Sequence, residues 1–92
     1  MADPGAGEPA PVRIEVRVEL KPNVADAEGE SVERSLGLLG IGGVRSVRTA
    51  RVYELTFEGI SAEEARRRAN EAVERLLANP VIHRVDVRPA PA

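Results

Sequence analysis

The stretch from Val44 to Glu58, VRSVRTARVYELTFE, most constrains what this chain can fold into. Tyr53, Leu55 and Phe57 alternate with Glu54, Thr56 and Glu58, the period of two that marks a half-buried strand. Val47 shares the parity of Tyr53, so the pattern is compatible with one strand from end to end. At about 3.3 Å per residue such a strand would reach roughly 50 Å. A small domain cannot cover that length. Either the stretch breaks near Thr49–Arg51, or its free part pairs with something outside the monomer.

The whole chain has 92 residues, enough for one domain. Residues 1–11, MADPGAGEPAP, show no periodicity and read as a disordered tail, as do residues 89–92. Residues 12–88 are expected to form the single folded unit. A core of that size contributes only about 3–5 kcal/mol of net stability. There are no cysteines to add disulfides, and one histidine without cysteine argues against a structural metal. Association with another chain is the remaining source of stability. No apolar run reaches membrane-span length and no signal peptide precedes Val12, so a cytoplasmic protein is expected. A net charge of −2 and only two aromatics, Tyr53 and Phe57, argue against nucleic-acid binding, which favours basic surfaces and stacking platforms.

From Val12 to Leu20 the alternation is complete: Val12, Ile14, Val16, Val18 and Leu20 face a core, and charged residues of alternating sign face water. Pro22 stops this strand. Asp26 is suited to cap a helix whose core stripe is Val32, Leu36 and Leu39, with Glu28 and Glu30 favoured by the dipole in the first turn. Gly40 is the expected C′ residue of a Schellman ending, with Ile41 as its hydrophobic partner. Ser61–Glu64 is a capping box opening a second helix with Ala65, Ala69, Ala72, Val73 and Leu76 on one face. Glu63–Arg67, Glu64–Arg68 and Glu71–Arg75 have the spacing of helical ion pairs. Pro80 ends that helix near Ala78, and Val81–Arg88 reads as a last strand. The fold class is α+β: an antiparallel sheet with two helices on one face. Splitting the central stretch gives the ferredoxin-like βαββαβ order, and dimerisation extends the sheet.

No active site assembles from these residues. His83 and Asp86 lie three apart on a strand, on opposite faces, so His83 has no general-base partner there. The glycines between Gly37 and Gly43 follow a helix, where the dipole repels phosphate, so they read as a helix stop. Arg66, Arg67 and Arg68 are matched by Glu63 and Glu64 and read as a solvated face. Arg45, Arg48 and Arg51 suit either grip on an acidic or phosphate-bearing partner, or protection of an exposed edge. The candidate interface is Arg45, Val47, Arg48, Arg51 and Tyr53, with Asn79 and Pro80 at the second helix exit. No catalytic, cofactor or metal site is expected.

Val16–Pro22 (VRVELKP), Val24, Asp26–Gly29, Val32–Leu36 and Leu39–Gly40 together resemble the PurS-type small subunit of phosphoribosylformylglycinamidine synthase. Leu76–Ile82, LLANPVI, is similar to the same family's helix exit into its final strand. The resemblance runs over nearly all of Val12–Val87; the departures are the N-terminal tail and Gly37. It implies a non-catalytic subunit of an ATP-dependent, glutamine-hydrolysing ligase of purine biosynthesis. A large synthetase subunit would hold ATP and magnesium, and a glutaminase subunit the cysteine nucleophile. The small subunit would be a homodimer bridging the two and supporting ammonia transfer, with pairing into tetramers left open. The first rival is a small-molecule-binding regulatory module on a ferredoxin-like scaffold, which a ligand-induced thermal shift would reveal. The second is a hydrolase using His83, which would show turnover by the isolated chain.

Overall fold

The structure is a computed structural model that describes residues 10–91. Three antiparallel strands make its sheet: β1 (Val12–Leu20), β2 (Ala50–Phe57) and β3 (His83–Pro89), in the order β2-β1-β3. Two helices join them, α1 (Ala27–Leu38) between β1 and β2 and α2 (Ala62–Ala72) between β2 and β3. The α+β class and antiparallel sheet are those expected. The expected βαββαβ order differs in one strand: β2 starts only at Ala50, and residues 44–49 join no ladder within the chain. The expectation for residues 1–9 lies outside the described residues. At the other end the path continues past Arg88, because Pro89 closes β3 and the Ala90 N–H donates to the Arg13 carbonyl at 3.0 Å.

β1 is central because both its faces are well defined and it pairs on both edges. Val16 sits between Tyr53 and Val87, and Ile14 between Leu55 and Pro89. Ile14, Val16 and Val18 are buried against Ala65 and Ala69 of α2, whose small side chains let the helix approach the sheet closely. The opposite face is a row of exposed charges: Arg84 reaches Glu19 at 2.6 Å, Arg88 reaches Glu15 at 3.4 Å and Arg13 reaches Glu54 at 3.5 Å. Such pairs contribute little each. They give that face solubility and register rather than stability.

α2 opens as expected, with Ser61 Oγ accepting the Glu64 N–H at 3.1 Å. Glu64 does not complete the reciprocal half of the box; it turns to Arg67 at 2.7 Å, and Glu71–Arg75 forms at 2.9 Å. The last turn, Val73–Leu77, is a π turn, closed by the Ala78 N–H on the Val73 carbonyl at 3.2 Å. One extra residue in that turn shifts the later side chains around the helix axis. Leu77 takes the core position expected of Leu76, which is left 82% exposed. Val81, expected in the last strand, is likewise exposed, because Asn79 Oδ1 accepts its N–H and the Asn79 carbonyl accepts from Ile82 and His83. The strand therefore begins two residues later.

α1 ends in the expected Schellman motif: the Ile41 N–H donates to Leu36 O at 3.0 Å and the Gly40 N–H to Gly37 O at 3.1 Å. Gly40 takes φ of 76°, which a side chain would resist. The expected core stripe of this helix is not covered by its own sheet, and α2 alone packs there. Val32 is 42% and Leu39 75% exposed; Gly29 is the only buried residue of α1. The helix is held by its first turn and projects beyond the sheet, giving principal extents of 61 × 31 × 15 Å. The radius of gyration is 18.4 Å, where a compact chain of this length would have about 12 Å.

Candidate functional site

Residues 44–49 run from the end of α1 to the start of β2, and two side chains fix them. The first is Asp26, the N-cap of α1. Its Oδ1 accepts the Gly29 N–H at 2.8 Å, and its Oδ2 accepts the Thr49 N–H at 2.6 Å. The Thr49 hydroxyl donates to the same carboxylate, 2.8 Å from Oδ2. One group thus caps a helix and ties down a segment 23 residues away. The carboxylate is only 3% exposed, and it stays charged because donors replace water. The Thr49 N–H, followed by the Gly29 N–H and the Thr49 hydroxyl, holds its carboxyl below the ordinary value. Burial opposes this and Arg48 adds a smaller pull.

The second is Arg48. Its guanidinium donates to the carbonyls of Val24 at 3.1 Å, Leu20 at 3.2 Å and Lys21 at 3.0 Å. Three carbonyls at the turn after β1 are thereby bonded, and Arg48 is engaged within its own chain. Just before these two anchors the chain passes so close to α1 that Gly29 has no room for a side chain. A Cβ there would collide with the Val47 carbonyl oxygen and lie 3.1 Å from the Asp26 carboxyl carbon.

The remaining expected interface residues divide into two groups. Arg45 is exposed on the segment itself, and Val47 is half-buried beside Gly29. Arg51 and Tyr53 line an open cleft of about 780 Å³ on the core face of the sheet, bounded also by Val18, Leu77 and His83. Asn79 and Pro80 are exposed at the corner after the π turn. His83 Nδ1 accepts the Asn79 N–H at 2.8 Å and so serves that corner. The tie between Asp26 and Thr49 is the part of this site that sequence reading missed. Asp26 was visible as a cap, but its second bond joins residues with no shared periodicity.

Glu19 completes the end of the cleft. The Arg84 guanidinium holds its carboxyl below the ordinary value, with partial burial opposing and Arg17 assisting. Among the described residues no group of three or more His, Cys, Asp or Glu side chains is placed to hold a metal ion. No described helix is long and apolar enough to cross a membrane. What the site offers is anchored, unpaired backbone beside an uncovered cleft, which suits contact with another chain.

Known proteins resemble this chain in sequence and fold. The family described as PurS, phosphoribosylformylglycinamidine (FGAM) synthase, matches residues 13–90. A PurS subunit of phosphoribosylformylglycinamidine synthase from Archaeoglobus fulgidus is 45% identical over 73 residues, 79% of this chain and 91% of that protein. Among solved structures, a chain of PurLQS from Thermotoga maritima superposes with a TM-score of 0.78 at 30% identity, covering 88% of this chain and 99% of that one. PurS from Methanocaldococcus jannaschii, one of the subunits of formylglycinamide ribonucleotide amidotransferase, gives a TM-score of 0.75 at 30% identity, covering 87% and 96%. The match spans both helices, all three strands and the anchored segment between them, and on it the chain belongs to the PurS family of phosphoribosylformylglycinamidine synthase.

Proposed function

We propose that this chain is the non-catalytic assembly subunit of a split phosphoribosylformylglycinamidine synthase. It bridges a glutaminase and a synthetase subunit and supports ammonia transfer between them. ATP and magnesium belong on the synthetase subunit, and the complex works in the cytoplasm. The observation that carries this reading is the likeness, over 88% of this chain, to a chain within the PurLQS structure. The chain's own chemistry agrees with it. There is no cysteine to act as a glutaminase nucleophile. His83, the only histidine, spends its Nδ1 lone pair on the Asn79 N–H.

The bridging unit in this proposal is a homodimer built by main-chain pairing around Arg45–Tyr53. Asn79 and Pro80 support the contact surface by fixing the corner from which β3 enters the sheet. The partner of this pairing is not a second copy of Val12–Leu20, since β1 is already flanked on both edges. It is the same segment of another copy. Mixed with its synthetase and glutaminase subunits, the chain should co-elute with both. Alone at micromolar concentration it should sediment above its 9.9 kDa monomer mass. A chain that stays monomeric and elutes apart from both subunits would overturn the reading.

A further inference from the structure

We infer that the free edge of β3, with the apolar groove beside it, takes an extended segment of another subunit as an added strand, one that alternates apolar and acidic residues. This rests on the assembly reading above and names a surface for it at the far end of the sheet from β2.

Two bonds to β1 define the edge. The Lys21 N–H donates to the Ile82 carbonyl at 2.9 Å, and the Ala90 N–H donates to the Arg13 carbonyl at 3.0 Å. Successive residues of a strand turn their N–H and C=O groups to opposite sides. Even-numbered residues of β3 therefore face β1, and odd-numbered ones face away. Val85 and Val87 present both their N–H and C=O groups outward, with no backbone partner among the described residues. This window is closed at both ends. The His83 N–H is spent on the Asn79 carbonyl at 2.8 Å, and Pro89 has no N–H to give. So short an edge discourages open-ended pairing but still admits one strand.

The groove selects what that strand carries. It encloses about 280 Å³ on the core face; Val12, Ile14, Val87 and Pro89 form its floor, and Ala62 and Arg66 of α2 stand over it. Its lining comes from β1, β3 and α2 and none from β2, so it opens on the β3 side. Residues directly opposite one another in paired strands share a face. The residue of the added strand opposite Val87 therefore enters the groove, and an apolar side chain suits it. Charge decides its neighbours. Three arginines, Arg13, Arg66 and Arg88, surround the groove against Glu63 alone. Arg67 and Arg68 pair with Glu64, whereas Arg66 has no ionic partner among the described residues. An acidic neighbour in the added strand meets that excess. A second β3 would bring the same arginines, and the pairing reading already gives the copy the β2 side. The occupant is a different protein.

The test is residue-resolved amide exchange on the full chain, alone and bound to the purified synthetase or glutaminase subunit. Alone, the Val85 and Val87 amides should exchange at least tenfold faster than those of Asp86 and Arg88, which face β1. Binding to one of the two subunits should slow Val85 and Val87 at least tenfold and leave Asp86 and Arg88 little changed. Val87→Pro removes an outward donor and no bond to β1, and should weaken that binding at least tenfold while helical circular dichroism is retained. If Val87→Pro does not fold, Arg66→Glu on the exposed rim should weaken it several-fold. Binding of both subunits with Val85 and Val87 exchange unchanged, or weakened by neither variant, would overturn the edge and leave the assembly reading standing. Slow exchange at Val85 and Val87 in the chain alone would also overturn it. If that slowing grows with concentration, a second copy takes the edge; if deleting residues 1–9 abolishes it, the chain's own N-terminal residues do. A chain that binds neither subunit would overturn both readings.

Discussion

Asp26 is buried yet charged because three donors converge on it, two of them from Thr49. Its lowered carboxyl gives the fold a pH dependence whose sign comes from linkage. A group with its pKa depressed on folding contributes fully above its unfolded value, near pH 4. That contribution is lost as pH falls from there through the lowered folded value. Glu19, held down by Arg84, acts in the same direction. The melting temperature of the chain should therefore fall as pH drops from 5 to 2.5, and Asp26→Asn should show a visibly shallower fall over that window. Identical profiles for the two proteins would show that the charge on Asp26 does not support the fold. At this scale the sequence was partly legible. A cap followed by acidic first-turn residues is a local signal. The bond to Thr49 is not, because a tie across a long gap leaves no trace in periodicity.

Among the elements, β1 and the Schellman ending of α1 were readable because their causes are local: alternation in one, a glycine at positive φ in the other. The π turn was not. Nothing in Val73–Leu77 breaks helical spacing, and the extra residue appears only because Leu77, not Leu76, packs on the sheet. Pro80 matters at this scale too. It comes after the π turn and prevents the helix from continuing into Val81. Pro80→Ala should lower the melting temperature of the isolated protein by about 2–6 °C, since proline at a compatible position contributes about 0.4–1 kcal/mol through the unfolded chain. Assembly should weaken only in step with that loss. Unchanged stability with lost partner binding would instead make this corner a direct contact surface.

For the whole molecule, the sequence pattern of α1 reads as a core helix and the fold does not use it as one. The stripe of Val32, Leu36 and Leu39 needs a cover, and periodicity cannot tell whether that cover comes from the same chain. The projecting helix, the anchored edge beside it and the uncovered cleft share one explanation, a protein completed by other chains. The most direct measurement is glutamine-dependent amidine synthesis by the purified synthetase and glutaminase subunits, with and without this chain, beside the same reaction driven by ammonium salt. Omitting the chain should lower the glutamine-dependent rate at least tenfold while the ammonium-driven rate changes far less. An unchanged glutamine-dependent rate without the chain, or glutamine or ATP hydrolysis by the chain alone, would contradict a non-catalytic bridge.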